Sequence, residues 1–140
     1  MATKGLPAEM KLQLASATGK HYELTVKEVY VETDDGDLGV LPGHQPEFYR
    51  VSAGFVSCKA ENGEEVRKLV YNGFVQIEPE VVRIGVQEIY EPGEVDTAAL
   101  EREIEELKKT LEALSEEEEL KRAEVEAEIK RKEKLLRKAR

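Results

Sequence analysis

The spacing of the apolar residues changes abruptly near residue 91, and this change constrains the fold more than any other feature. Between residues 10 and 90 apolar side chains recur at every second position, as in Tyr22–Val26, which is the spacing of a β-strand with one buried face. After the stretch Glu91-Pro92-Gly93-Glu94 they recur every three or four residues, which is helical spacing. The sequence therefore predicts a β domain over residues 1–91 and a helical segment over residues 92–140.

Turn-forming pairs divide the β domain into short strands. The turn-forming pairs are Asp35-Gly36, Pro42-Gly43, Asn62-Gly63 and Asn72-Gly73. The predicted strands after the first two apolar runs are Gly54–Ala60, Glu65–Tyr71, Gly73–Ile77 and Val81–Ile89. Asn, Asp and Gly tolerate the positive φ angles that tight turns need. Many short strands at this spacing predict an antiparallel β-sandwich.

Two further details concern the packing of that sandwich. The alternation slips by one residue between Val26 and Val29, which predicts a bulge or bend where the strand passes from one layer to the other. Cys58 alternates with apolar neighbours, so we interpret it as a small core or interface residue rather than a reactive thiol.

The C-terminal segment is predicted to form a two-helix antiparallel hairpin. Asp96 is suited to cap the first helix, whose apolar seam consists of Leu100, Ile104, Leu107, Leu111 and Leu114. Ser115 and Glu118 have the spacing of a capping box, which predicts a second helix over Glu116–Arg140, directly after the first. Its apolar stripe, Val125, Ile129 and Leu136, shares a face with Lys132, so weak attachment is expected.

Composition excludes several classes of protein. A formal net charge of -9 opposes binding to phosphate backbones, so nucleic acid is not an expected partner. Residues 1–10 lack the apolar run of a signal peptide, and no stretch approaches the roughly 18 apolar residues of a membrane helix. The single cysteine cannot form an intrachain disulfide, which suits a reducing compartment.

The residues that support catalysis or metal binding are not present in recognisable arrangements. The Gly19-Lys20 pair is followed by His21, whereas a phosphate-binding loop needs Ser or Thr there. One cysteine and two distant histidines, His21 and His44, do not form a zinc motif. We therefore expect no catalytic residues, no metal and no cofactor, and a non-enzymatic function.

One string carries a specific resemblance. Gly36-Asp37-Leu38-Gly39-Val40-Leu41-Pro42-Gly43-His44 resembles the signature of the epsilon subunit of bacterial F-type ATP synthases, which is equivalent to the mitochondrial delta subunit. The segment Leu69–Ile77 is similar to a later strand pair of that family. The likeness covers roughly residues 10–114 and implies a β-sandwich followed by two helices. The segment Gln45–Arg50 is more polar and aromatic than the family pattern, so contacts there transfer less well.

The resemblance implies a non-catalytic rotor subunit that couples the gamma subunit to the membrane c-ring during ATP synthesis driven by an ion gradient. The candidate interface residues are Asp37, Gly39, Pro42, Gly43 and His44. Asp37 occupies the acidic position that faces the ring, while the glycines and the proline are interpreted chiefly as residues that hold the turn. For His44 two readings stay open, an interface contact and a side chain that orders the loop. The implied location is peripheral, at the cytoplasmic face of the bacterial inner membrane, with the membrane reached only through the complex.

The charge distribution of the second helix suggests regulation. Glu116–Glu119 are all acidic, whereas Lys130–Arg140 hold seven basic residues against one Glu, which partly reflects the helix dipole. In the family the helices can lie folded near the sandwich. They can also extend along the gamma subunit toward the alpha and beta catalytic subunits, where basic residues approach an acidic loop and ATP hydrolysis is inhibited. The residues expected to make that contact are Lys130, Arg131, Lys132, Lys134, Arg137 and Lys138.

Some members of the family also bind ATP at the start of the first helix. Here Asp96 of that motif is present, but Ala99 stands where the motif has arginine, and alanine cannot pair with a phosphate. Weak or absent ATP binding is therefore expected. The alternative to a rotor subunit is a stand-alone adaptor in which a sandwich and a coiled-coil hairpin bind an unrelated partner.

Overall fold

The computed structural model describes residues 7–140. Residues 1–6, on which part of the expectation about a signal peptide rests, lie outside the described residues. The chain forms a strand-rich unit followed by two helices. Its elements are β1 Met10–Ser16, β2 His21–Thr33, β3 Gly36–Val40, β4 Glu47–Ala60, β5 Glu65–Ile77, β6 Val81–Tyr90, α1 Thr97–Ala113 and α2 Glu119–Ala139.

The strands close on themselves. They follow the order β1-β6-β5-β4-β2-β3, and β1 also pairs with β2, so five strands complete a ring and β3 extends it from β2. Closure leaves few unpaired strand edges, which limits edge-to-edge aggregation. The predicted β-sandwich followed by two helices is confirmed. The pairing is antiparallel throughout the ring except between β1 and β6, which run parallel; the sequence did not indicate this exception.

The interior of the ring is filled by alternating apolar side chains. Leu12, Val29, Val56 and Ile84 are among its fully buried members. Cys58 lies in the same core, as predicted, and burial raises the pKa of its thiol. The register of β2 against β4 shifts between Val26 and Val29, which confirms the predicted irregularity in β2.

The face of β5 that points to the core inverts at Asn72. Before it, even-numbered residues such as Val70 enter the core, and after it, odd-numbered residues such as Val75 do so. Asn72 has a left-handed backbone with φ of 60°, a conformation that Asn adopts more readily than most residues. The Asn72-Gly73 pair was predicted to form a tight turn, and this prediction is wrong, because one strand runs through both residues.

The same inversion occurs in three neighbouring strands, β4, β5 and β6, at positions that lie side by side. The paired registers skip one position in each strand, namely Ser52 in β4, Asn72 in β5 and Gln87 in β6. The Asn72 side chain links the three strands, since it donates to Gln87 Oε1 over 2.9 Å and accepts from Arg50 over 2.5 Å. The strands therefore pass together from one layer of the sandwich to the other without losing register.

The first helix agrees with its predicted bounds. Asp96 caps it, with its carboxylate accepting from the N–H of Ala99 over 3.0 Å, and Leu114 is its C-cap. The start of α2 differs from the prediction. Ser115 donates to the Glu118 carboxylate over 3.2 Å instead of capping backbone N–H groups, so α2 starts at Glu119 rather than Glu116.

In the part of the chain that the structure describes, neither helix has the length and apolar character needed to cross a membrane.

Candidate functional site

The hairpin that carries the signature string is stabilised by hydrogen bonds with a buried threonine. Thr33 Oγ1 donates to the Gly36 carbonyl over 2.6 Å and accepts from the N–H of Asp35 over 3.1 Å. Gly36 adopts a φ of 121°, which a side chain would strain. Asp37 is exposed on β3 directly after this turn, so its carboxylate is presented to solvent on a rigid support. Sequence reasoning missed Thr33, although a Thr directly before Asp-Asp-Gly is a known turn-stabilising arrangement.

The other signature residues have separate structural roles. Gly39 lies beneath the ring of Tyr30, where a Cβ would approach that ring to 3.3 Å. Gly43, with φ of 87°, donates its N–H to the Pro79 carbonyl over 2.8 Å, which ties the loop to the turn between β5 and β6. Pro42 is half-buried beside it.

His44 orders the segment that leads into β4. Its Nδ1 lies 2.8 Å from the Gln45 carbonyl oxygen and its Nε2 lies 3.2 Å from a Glu47 carboxylate oxygen. Both ring nitrogens are therefore occupied locally, which favours the ordering role for His44 over a free contact residue.

An exposed apolar patch lies beyond this loop. Phe48 is 63 % exposed and stacks on Phe74 with ring centroids 5.2 Å apart, and the Arg50 guanidinium lies 5.1 Å from the Phe74 ring centroid. Leu41 is also largely exposed. The sequence did not reveal this pair, because Phe48 and Phe74 face outward only as a result of the inversion at Asn72.

The helices dock on the outer face of the sandwich. That face offers Ala53, Leu69 and Tyr71, and the helices cover it with Leu100, Ile104, Ile129 and Leu135. The first-helix seam is thus confirmed at its two buried members. In the second helix Leu135 is buried together with Ile129, whereas Leu136, the predicted member of the stripe, is only half-buried.

Of the six basic residues predicted to make the inhibitory contact, three form ion pairs within the chain. Lys132 lies 3.1 Å from a Glu103 carboxylate oxygen and its Nζ is 5.7 Å from the Tyr71 ring centroid, so this lysine belongs to the docked surface. Lys134 lies 3.3 Å from Asp34, and Lys138 lies 2.9 Å from Glu32.

The other three predicted basic residues line a cavity. Lys130, Arg131 and Arg137 line a space of about 540 Å³ between α2 and β4. The lining also includes the cations Arg50 and Lys134 and the carboxylates Asp34 and Glu133. Within residues 7–140 the Nε of Arg131 is buried without a hydrogen-bond partner. The two arrangements overlap at Lys134, which pairs with Asp34 and also lines the cavity.

The carboxylates that receive the lysines are held in their ionised form. Burial opposes ionisation of Asp34, but the hydroxyl and N–H of Ser52 together with Lys134 outweigh it and lower its pKa. Burial likewise opposes ionisation of Glu32, and the N–H of Phe55 with Lys138 outweighs it and lowers that pKa. Both groups are therefore charged at neutral pH.

At the start of the first helix, Asp96 serves as a helix cap. The Asp96 carboxylate is occupied by the Ala99 N–H, and a methyl group stands where the ATP motif has a guanidinium. Among the described residues, no group of three or more His, Cys, Asp or Glu side chains is arranged to hold a metal ion.

Comparisons of this chain with known proteins all indicate the same family. Residues 9–92 match the family described as ATP synthase, Delta/Epsilon chain, beta-sandwich domain. The ATP synthase epsilon chain of Streptomyces avermitilis is 29 % identical over 103 residues, which is 74 % of this chain and 83 % of the relative. The sodium-ion-specific ATP synthase epsilon chain of Propionigenium modestum is 31 % identical over 113 residues, which is 81 % of this chain and 82 % of the relative.

Solved structures agree with the fold. A chain in the mitochondrial ATP synthase of Euglena gracilis is similar with a TM-score of 0.67 at 21 % identity, covering 96 % of this chain and 81 % of that one. A chain in the Tetrahymena thermophila mitochondrial ATP synthase is similar with a TM-score of 0.53 at 17 % identity, covering 62 % and 69 %. The sandwich, the signature hairpin and the sequence matches together place this chain in the epsilon-subunit family of ATP synthases.

Proposed function

We propose that the chain is a non-catalytic rotor subunit of the central stalk, which binds a gamma subunit and the membrane c-ring and couples them during ATP synthesis driven by an ion gradient. The observation that carries this proposal is the signature hairpin, in which Asp37 is exposed on a turn that Thr33 and Gly36 hold rigidly. A rotor contact must transmit torque, and a short turn fixed to a packed core deforms little. The location proposed with it is peripheral, at the cytoplasmic face of a bacterial inner membrane.

Two assemblies that contain similar chains support the choice of partners. The Euglena structure is described as containing F1 and the c-ring, and the Tetrahymena structure as the central stalk and c-ring. We assign residues 1–91 to the binding of the stalk and ring, and residues 92–140 to regulation. Asp37, Gly39, Pro42, Gly43 and His44 are the proposed interface segment.

The exposed aromatic pair adds a second contact surface to this proposal. Phe48 and Phe74 offer a flat apolar face beside the signature loop, and aromatic side chains are enriched where proteins bind each other. We assign this face and Leu41 to the gamma subunit, because an exposed carboxylate such as Asp37 contributes only about 0 to 1 kcal/mol through an ion pair.

Co-purification with a gamma subunit tests the rotor assignment against a stand-alone adaptor. The full chain is expected to co-purify with gamma from the assembled complex, and Phe48→Ser is expected to weaken this binding about tenfold or more. Leu120→Ser is the matched control, since Leu120 is exposed on α2, and it is expected to bind normally. An intact complex that retains gamma and c-ring without this chain would contradict the assignment.

The proposed regulation is inhibition of ATP hydrolysis by the C-terminal helices. The cations Lys130, Arg131, Lys132, Lys134, Arg137 and Lys138 are the proposed contacts with the alpha and beta subunits. Ending the chain after Leu114 removes all of them, and hydrolysis by the assembled complex is expected to rise. Unchanged hydrolysis would remove the inhibitory function while leaving the rotor assignment intact.

A further inference from the structure

The cavity between α2 and β4 carries an excess of positive charge. Five of the side chains that line it are lysine or arginine, and two are carboxylates. The whole chain has a formal net charge of -9, so this local excess is opposite in sign to the overall composition. A concave surface lined by charges of one sign concentrates their field, and this cavity is therefore suited to an anion.

The two carboxylates of the lining already have partners. Asp34 accepts from the N–H and the hydroxyl of Ser52 and lies 3.3 Å from Lys134. Glu133 lies 4.0 Å from Lys108 of α1. Neither carboxylate is therefore available to neutralise the other cations of the cavity.

Three cations of α2 remain without a counterion. Lys130, Arg131, Lys134 and Arg137 recur at spacings of three and four residues, which places them on one side of the helix. Within residues 7–140 no carboxylate lies within ion-pair distance of Lys130, Arg131 or Arg137. The Nε of Arg131 is in addition buried without an acceptor, which is unfavourable for an N–H group. An oxyanion in the cavity would supply that acceptor.

The sandwich contributes a fixed guanidinium to the opposite wall. Arg50 Nη1 donates to the Gly73 carbonyl over 3.0 Å, and Nη2 donates to Asn72 Oδ1 over 2.5 Å. These two bonds hold the charge of Arg50 at the cavity before any ligand enters, and such preorganisation lowers the entropic cost of binding.

From this arrangement we propose that the cavity binds a small multivalent oxyanion of the phosphate class, such as inorganic diphosphate, between α2 and β4. The forked N–H groups of Arg131 and Arg137 match the geometry of phosphate oxygens. Among the described residues that line the cavity none is aromatic, so the site offers no surface on which a nucleotide base could stack.

The proposed site is separate from the features already assigned. Asp96 and Ala99, at the position of the family's ATP motif, do not line this cavity. The inference goes beyond the proposed rotor function, and it depends neither on that function nor on the proposed contact with the catalytic subunits.

Titration calorimetry of the full chain with inorganic diphosphate tests the site. At about 0.1 M salt, where attraction between distant charges is largely screened, saturable binding to a single site is expected. Inorganic phosphate should bind more weakly because it carries less charge, and adenosine should give no binding heat. Diphosphate heats that do not saturate would overturn the proposal, and saturable binding of adenosine would overturn the assignment to a phosphate-class ligand.

The variant Arg131→Gln is expected to weaken diphosphate binding about tenfold or more, because it removes a charged fork of donors. Arg131→Lys keeps the charge but loses the Nε–H, so an intermediate loss is expected. The matched control is Arg102→Gln, which removes the same charge from an exposed position of α1 and should bind normally. An equal loss in Arg102→Gln would overturn the site, because binding would then depend on net charge alone.

A second variant keeps the test independent of the partly buried Arg131. Lys130→Gln with Arg137→Gln changes two exposed side chains, so the fold is expected to persist while diphosphate binding weakens about tenfold. Circular dichroism identifies any variant that does not fold, and if Arg131→Gln is such a variant the double substitution decides alone. Diphosphate binding that is unchanged in either folded variant would overturn the cavity as the binding site.

Discussion

The backbone N–H of Ser52 donates to the Asp34 carboxylate over 2.8 Å, at the point where β4 inverts the face it turns toward the core. The position opposite Ser52 in β5 is Asn72, whose left-handed backbone interrupts the pairing. The Asp34 side chain supplies an acceptor to Ser52 at this interruption. The same carboxylate receives Lys134, so the layer crossing, the signature hairpin and the docked helix meet at one residue.

Replacing Asp34 with alanine is expected to lower the free energy of unfolding by about 2 kcal/mol, because the N–H and hydroxyl of Ser52 lose their acceptor. Ser52→Ala removes only the hydroxyl bond, and a loss of about 1 kcal/mol is expected. Asp35→Ala is the control in the same exposed turn and should change stability by less than about 0.5 kcal/mol. Urea unfolding of the isolated chain measures all three. A loss at Asp35 equal to that at Asp34 would contradict the assigned role.

Gly73 is required by a close approach of two strands. A Cβ at this position would lie 1.9 Å from the Gly85 carbonyl oxygen and 2.6 Å from the Val86 Cα, and backbone atoms cannot move aside. Gly73→Ala is therefore expected to cost at least about 3 kcal/mol in thermal or urea unfolding. Gly85→Ala is the matched control, since its Cβ would meet nothing within 4 Å, and it should leave stability within about 0.5 kcal/mol.

The local features of this fold follow from the sequence, but the layer crossing does not. The alternation slip after Val26 marked the β2 irregularity, and Asp96 marked the start of α1, because each depends on neighbours in the chain. Asn72-Gly73 carries the same local signal as a tight turn. In the folded chain the Asn72 side chain accepts a hydrogen bond from Arg50 and donates one to Gln87, and both partners are distant in sequence.

The docking of α2 was beyond sequence reasoning for the same physical reason. Lys134 and Asp34 are 100 positions apart in the chain, and no periodicity links them. The sequence identified the lysines by their charge and assigned them to another subunit, yet their partners in the folded chain depend on how α2 packs against β4 and β5. Leu135 is buried, whereas Leu136 is half-buried, so the apolar spacing within α2 did not identify the face that docks.

Asn72 is expected to contribute through both its backbone and its side chain. Asn72→Ala requires alanine, which rarely adopts the left-handed conformation, to hold φ of 60°, and it removes the hydrogen bonds to Arg50 and Gln87. The free energy of unfolding is therefore expected to fall by about 2–3 kcal/mol. Asn72→Gly loses the bonds but relieves the backbone strain, and a loss of about 1 kcal/mol is expected. Urea unfolding distinguishes them. Equal losses would show that the left-handed backbone contributes nothing.

Leu135 anchors α2 through its apolar side chain. It is 2 % exposed, whereas Leu120 on the same helix is 75 % exposed. Leu135→Ala is expected to weaken docking by about 2 kcal/mol, which accelerates amide exchange of α2 about thirtyfold. Leu120→Ala carries the same chemical change and should leave exchange unaltered. Similar exchange in the two variants would contradict the docked position of the helix.

Acid is expected to weaken the contribution of Glu32 and Asp34. The folded state lowers both pKa values, and in the unfolded chain these groups titrate near about 4.3 and 3.9. The stability they contribute is therefore present above the unfolded values and is lost as pH falls through the lower, folded values. The charged groups that face them are Lys138 and Arg67 at Glu32 and Lys134 at Asp34.

Urea unfolding from about pH 7 to pH 3, which brackets the unfolded pKa values, measures this effect against the variant Glu32→Gln with Asp34→Asn. At neutral pH the unmodified chain should be more stable by about 1 kcal/mol, a modest value because both carboxylates are partly screened by solvent. The difference should shrink below about pH 4, as protonation makes the carboxyls resemble the amides. A difference that stays constant over the whole range would show that these two charges do not stabilise the fold.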